Sequence, residues 1–206
     1  MNSSLPRTVL DAADVSAVTQ LVLAERECRD LGRWARMRAC FHPDAVVRIS
    51  WFDGSGPEFV ERSIDMARRG VRATHRLGPV AVRLNGDRAV ASLGATIDIP
   101  GVLDGVDICL SSHARFLYRA ERRDGRWRLA SFEAFYLRDE LHPQRPGQAL
   151  HIAPEAVAGF RPSYRMLSLL LTRQGYAVDP DLPGLDRPET VDAMGREVYG
   201  WAGLEP

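Results

Sequence analysis

Lysine is absent from this 206-residue chain, so all 27 basic residues are arginine, and they balance 27 aspartates and glutamates to a formal net charge of zero. That absence excludes a Schiff-base nucleophile, a lysine general base and the phosphate-gripping lysine of a P-loop. The even balance, with no basic run standing out, argues against a nucleic-acid partner, because neutralising phosphates needs a basic surface or cluster. Cysteine is scarce as well. Cys28, Cys40 and Cys109 form an odd, widely spaced set without a CxxC pair, which points away from a disulfide framework or a thiolate zinc site and fits a reducing, cytoplasmic setting. Long apolar runs are also missing: the N-terminal MNSSLPRTVLDAADVS has no signal-like core, and the stretch Met166 to Leu171 is far too short to cross a bilayer. A soluble protein without a membrane partner is expected.

What is present is enough apolar residues, 45% of the chain, for one well-buried core with at most an appended subdomain. Residues 12 to 41 place Val15, Val18, Leu21, Val22, Cys28, Leu31, Met37 and Phe41 near the helical period, and Gly32 is expected to divide them into two helices. A short strand is expected over 46–52. Ser55-Gly-Pro-Glu58 then reads as a capping box opening a helix to about residue 69. From Leu77 the period becomes two. Asn85-Gly86 and Asp124-Gly125 read as hairpin turns, with strands at 89–99, 107–121 and 127–138. Helices followed by an antiparallel meander make an α+β fold with helices covering one face of a curved sheet. Residues 140 to 153 read as a linker. Helices are expected from Ser163 to Arg173, ending near Gly175, and from the capping signature at Asp186-Arg-Pro-Glu189 to about Trp201. Two helices in so short a tail need a surface to pack on, either the main domain or a partner subunit.

Several residues are candidates for chemistry. If Asp124-Gly125 is a two-residue turn, Phe116 faces Glu133, Ala114 faces Phe135 and Tyr118 faces Ser131. Glu133 is then the one carboxylate on an apolar face, where burial would raise its pKa toward values useful for proton transfer. His113, Arg115 and Arg119 fall on the opposite face, read as an outer or subunit-contact surface. His75, in Ala73-Thr-His-Arg-Leu77, sits where the helices give way to the meander and can point into the mouth of the sheet. Asp30 is either a carboxylate partner or a helix cap, and Asp98 is a further carboxylate near a strand end. No HExxH, paired-histidine or GxSxG pattern occurs, and the Gly-Ser-Gly at 54–56 lacks a preceding dinucleotide-type unit, so neither a metal nor any other cofactor is expected. A histidine with a carboxylate in an apolar cavity can run acid–base chemistry unaided.

The element order, with Arg29-Asp-Leu-Gly-Arg-Trp34, Phe41-His-Pro-Asp-Ala45, Thr74-His75, Asn85-Gly-Asp87 and Arg123-Asp-Gly-Arg-Trp127, resembles the SnoaL-like group of the nuclear transport factor 2 superfamily. It is most similar to scytalone dehydratase-type members, over about residues 12–140. The resemblance implies a cone-shaped, strongly bent sheet closed by N-terminal helices around a pocket, in a homodimer. It implies Asp30 as the helix aspartate and His75 as the first catalytic histidine. The family's second histidine falls close to Asp98, where this chain has none, and its tyrosine before the aspartate is replaced by Arg29.

The organisation expected is therefore a flexible N-terminus at 1–11, a nuclear transport factor 2-like domain at 12–140 and a C-terminal helical extension at 141–206. The function expected is a cofactor-independent lyase or isomerase on a small, apolar or aromatic hydroxylated substrate, a hydroxy-carbonyl compound of polyketide or steroid type. His75 would move the proton, Asp30 would orient it, and Asp98 or Glu133 would serve as a second acid. Trp51, Phe116, Tyr118 and Phe135 would line the cavity beside Arg29. The alternative is a non-catalytic small-molecule-binding or dimeric assembly module.

Overall fold

In the computed structural model, which describes residues 9–206, the chain begins with α1 (Val9–Asp30) and α2 (Trp34–Cys40). The expected flexible N-terminus lies, through residue 8, outside the described residues. Gly32, at φ +66°, reverses the chain between the two helices, and the Arg33 N–H closes the end of α1 on the Cys28 carbonyl at 2.8 Å. β1 (Phe41–Ile49) and β2 (Phe52–Ser55) follow as a hairpin turning at Ser50 and Trp51, where one strand was expected. The capping box is present. Ser55 Oγ accepts the Glu58 N–H, Glu58 Oε2 accepts the Ser55 N–H, and α3 (Gly56–Arg68) starts there.

The meander comprises β3 (Thr74–Leu77), β4 (Ala81–Asn85), β5 (Arg88–Leu103), β6 (Val106–Arg123) and β7 (Arg126–Pro143). The sheet order is β2-β1-β7-β6-β5-β3, with β4 also paired to β5 and β1 running parallel to β7. Asn85 pairs with Arg88, so the first turn is Gly86-Asp87 rather than Asn85-Gly86, and only Gly86 has positive φ. Asp124-Gly125 is a two-residue turn as expected. Asp104-Gly105 is a second of the same kind, and it carries β5 on to Leu103, past its expected end at Ile99. β7 continues to Pro143, so the stretch expected as a linker begins as strand.

The register near the Asp124-Gly125 turn holds only as far as Ala120↔Leu129. Arg119 then pairs with Ser131, leaving Ala130 as an extra residue on β7, and a further irregularity follows between His113 and Ala114. One inserted residue reverses the face of everything beyond it. Phe116 therefore faces Ala134, Tyr118 faces Phe132 and Ala114 faces Tyr136, while Glu133 lies opposite Leu117 and Phe135 opposite Arg115. Glu133 and Phe135 point away from the face carrying Phe116 and Tyr118. His113 pairs with Arg138.

The sheet is thus buried on two sides. Its inner face, with Leu93, Phe116, Tyr118, Phe132 and Tyr136, packs with Val18 and Val22 of α1 and Phe59 and Val60 of α3. On the outer face Val90, Leu117 and Phe135 form a smaller cluster with Met194, Val198 and Ala202, contributed by α5 (Pro188–Trp201) and its C-cap. The face read as an outer or subunit-contact surface is covered here by the chain's own last helix. Arg187, not Asp186, is the N-cap residue of α5 and makes no side-chain cap. Asp186 instead forms a two-point ion pair with Arg161, at 2.7 and 2.9 Å, that ties the extension together.

The other helix of the extension, α4 (Arg165–Arg173), lies against the mouth of the bent sheet, with Leu167 and Leu171 in the main core. Its N-cap residue, Tyr164, offers no side-chain acceptor; Asp139 of β7 takes the Leu167 N–H at 2.8 Å instead. Asp139→Ala is expected to cost about 1–2 kcal/mol, the usual range for a lost cap. It should also accelerate amide hydrogen exchange in residues 165–173. Unchanged exchange there would mean that Asp139 does not hold α4 in place.

Candidate active site

α1, α3, β5–β7 and α4 line an apolar cavity that opens to solvent, about 610 Å³ with the open space at its mouth included. β5 supplies Ile97 and Ile99, β6 supplies Phe116, and β7 supplies Phe132, Ala134 and Tyr136. Ser50 and Trp51 close one side from the β1–β2 turn, and Leu167, Leu171 and Gln174 close another from the C-terminal extension. Tyr136 is pinned by the Ser50 N–H, 2.8 Å from its hydroxyl. Into this lining project only a few polar side chains, chiefly His75, Arg26, Arg29 and Gln174.

His75 stands in β3, at the wall between the cavity and an open groove that Asp30 also lines. Asp30, the last residue of α1, receives the ring Nδ1 of His75 at 2.5 Å on Oδ1 and the His75 backbone N–H at 2.7 Å on Oδ2. A carboxylate at that distance holds the proton on Nδ1 and leaves the Nε2 lone pair toward the cavity. The His75 side chain is 6% exposed. Burial pushes its pKa below the usual histidine range; Asp30 opposes this, and the charges of Arg26 and Arg29 add to it. For Asp30, burial pushes upward, but the ring and backbone hydrogen bonds from His75, with Arg26, hold it below its usual value. The resting pair at neutral pH is therefore a carboxylate and a neutral imidazole, a base with a fixed tautomer.

Arg26 sits one helical turn before Asp30. It and Glu25 are almost fully buried, at 3% and 0% exposure, and form a two-point ion pair in which Nε lies 2.5 Å from Glu25 Oε2 and Nη2 meets Oε1. Tyr118 donates its hydroxyl to Glu25 at 3.3 Å, and Phe132, stacked on Tyr118, lies under the Arg26 guanidinium at 4.6 Å. Burial is the strongest influence and opposes the Arg26 charge, yet Glu25, Tyr118 and Asp30 together outweigh it and keep its pKa above the ordinary value. Only Nη1 is left outside the ion pair, and it lies 3.4 Å from His75 Nε2. With the ring proton on Nδ1, Nη1–H donates a long hydrogen bond to the Nε2 lone pair, a contact that a bound substrate would replace.

The expected site residues separate accordingly. His75, Asp30, Arg29, Trp51 and Phe116 meet at or around the cavity. Tyr118 is one layer behind, supporting Glu25. Asp98 is not in the cavity: its neighbours Ile97 and Ile99 line it, so by strand alternation Asp98 faces the other way, bound to Arg76 at 2.6 and 2.9 Å and to Ser111 at 2.6 Å. Glu133 is displaced by the bulge at Ala130 and lies on the outer face, 3.7 Å from Arg119 and bonded to Ser131. Burial does raise its pKa, though far from the cavity. Phe135 packs on α5 for the same reason.

Sequence reasoning passed over Glu25, Arg26, Phe132, Tyr136 and Gln174. The first two carried a legible signal: Val18, Val22, Glu25, Arg26 and Arg29 share one helical stripe, so charged residues occupy positions at which the pattern calls for apolar ones. Gln174 carried none, since only the fold brings the extension over the mouth. Among the described residues no cluster of three or more His, Cys, Asp or Glu is placed to hold a metal ion, and no helix is long and apolar enough to cross a membrane.

The model of the SnoaL-like domain matches residues 11–133, more than half of the chain. The chain belongs to the SnoaL-like family. It is similar to a PEP2-like protein of Fusarium vanettenii, with 29% identity over 184 residues, covering 84% of this chain and 78% of that protein. Among solved structures the SnoaL-like fold found here is similar to a scytalone dehydratase-like protein from Novosphingobium aromaticivorans (TM-score 0.52, 13% identity, 68% of this chain and 97% of that one). It is also similar to a protein with a cystatin-like fold from Nostoc punctiforme (TM-score 0.50, 18% identity, 69% and 98%). The α+β architecture, a curved sheet covered by N-terminal helices, is thus a cystatin-like fold. These two structures are almost used up by about two thirds of the SnoaL-like chain, whereas the match to the fungal relative is too long to fit within residues 1–143 and takes in part of the extension.

Proposed function

We propose that the protein is a cofactor-independent lyase or isomerase of dehydratase type, acting on a small, largely apolar hydroxy-carbonyl compound. One observation carries the reading: His75 Nδ1 is held by Asp30 at 2.5 Å, and Nε2 is presented to an apolar cavity beside the Arg26 Nη1 donor. In this scheme Nε2 takes a proton from the carbon next to the substrate carbonyl, and the electrons of that C–H bond pass to the carbonyl oxygen as an enolate. Arg26 Nη1–H lies where it can stabilise that oxygen. Asp30 holds the imidazolium that forms. In elimination the enolate collapses, the C–O bond to the hydroxyl breaks, and His75 returns its proton so that water leaves; in isomerisation the proton returns to a different carbon. The apolar lining strengthens each of these charge interactions. The SnoaL-like fold implies a small-molecule site, in keeping with this scheme.

The test is incubation with hydroxylated ketones of aromatic, polyketide-like and steroid-like type in D₂O, followed by mass spectrometry. Loss of one water, or deuterium uptake beside the carbonyl, is expected from at least one member. Binding without either change in every case would replace this reading with that of a non-catalytic binding module.

A further inference from the structure

Among the described residues Arg29 is a buried cation left without an anion, with the Trp34 ring 5.9 Å from its guanidinium. It is 5% exposed and lines the cavity, and the acceptor it reaches is Met66 Sδ, a weak one, at 3.4 Å. A guanidinium carries five N–H donors, so most of its capacity is unused. The nearby carboxylates are engaged elsewhere, Glu25 by Arg26 and Asp30 by His75. Burial and the neighbouring charge of Arg26 pull Arg29 down to about 10, which still leaves it charged at neutral pH. A buried, unpaired charge is among the least favourable things a core can hold. A second gap lies in the same lining: Gln174, just past α4, has its side-chain Oε1 buried with no hydrogen-bond partner among the described residues. Arg29 and Gln174 line the same cavity, one from α1 and the other from the end of α4.

We infer that Arg29 and Gln174 form a carboxylate subsite, so that the substrate is a small hydroxy acid with an apolar body. The two forked N–H groups of Arg29 match the two oxygens of a carboxylate, and Gln174 Oε1 accepts a hydrogen bond from a neighbouring substrate hydroxyl. This deepens the acid–base reading and rests on it for one point, that the opposite end of the substrate lies at His75. The subsite also gives the extension a role, because α4 brings one of the two groups.

Isothermal titration at pH 7 with 4-hydroxybenzoate and with its methyl ester tests the proposal in the wild type, Arg29→Met and His75→Ala. The wild type is expected to bind the acid at least about tenfold more tightly than the ester, since hydrogen bonds to charged groups are roughly twice as strong as neutral ones. Arg29→Met should abolish that preference while raising the melting temperature of the free protein by about 2–4 °C, because an unpaired buried charge is removed at similar volume. Equal binding of the two probes, no binding of either up to its solubility, a preference that survives Arg29→Met, or a lower melting temperature in that variant would each overturn the subsite. His75→Ala is expected to keep the preference. Failure of the acid–base reading would therefore appear as absent turnover with the preference intact, whereas failure of the subsite would leave turnover of neutral substrates untouched.

Discussion

His75→Ala is expected to lower kcat/KM by about 10²–10⁴, the range for loss of a positioned general base, with the fold retained. The side chain borders a cavity that already exists, and the Asp30 carboxylate keeps the backbone N–H of residue 75, so little packing is lost. Asp30→Asn keeps the shape and an acceptor for the ring but removes the charge that holds the imidazolium. Its rate should fall less than that of His75→Ala. The pH profiles separate the two roles. Neutral His75 is the active form, and burial sets its pKa below the usual 6.5 or so, so activity should persist to lower pH than an ordinary histidine allows. Asp30 raises that pKa, so Asp30→Asn should move the acid limb to still lower pH. Stability follows the same sign: below about pH 6.5 the unfolded chain protonates first, and the contribution of neutral His75, complete above that value, is lost as pH falls through its folded pKa. Unchanged turnover of a verified substrate by His75→Ala would remove the residue from the mechanism.

Glu25→Ala should be the most destabilising single change near the site, costing about 3–5 kcal/mol because it strands Arg26 as an uncompensated buried charge. For a chain of this size that is a fall in melting temperature of roughly 6–20 °C. The interpretation has an internal control. Glu25→Ala combined with Arg26→Met removes both charges, and it should recover most of the stability while losing the donor beside His75. If the double variant is no more stable than the single one, the loss comes from packing around Tyr118 and Phe132 rather than from the stranded charge.

Much of the fold was legible in local sequence signals. Gly32, the Ser55–Glu58 capping box and Asp124-Gly125 each act within a few residues, so their outcome is set where they stand. Asp104-Gly105 carried the same signal as Asp124-Gly125, and it brought β5 past its expected end. The bulge at Ala130 has no comparable signature. It becomes decisive only when β7 must pair with β6 on one side and with β1 on the other, and it is what turns Glu133 and Phe135 outward.

The sequence by itself determined the α+β class, the order of the elements, and the candidacy of Asp30 and His75, because helix caps, turn residues and hydrophobic period are local properties. Tertiary structure decided which side chains share the cavity. It closed the contact between Asp30 and His75 across 45 positions of chain, turned Asp98 onto Arg76, and set Arg26 and Arg29 side by side with only one of them paired. It also laid the extension over both faces of the sheet, α4 at the cavity and α5 on the outside. The physical reason is common to all of these: whether a polar group is paired, and how strongly burial shifts it, depends on neighbours far away in sequence that only the folded chain brings within hydrogen-bonding reach.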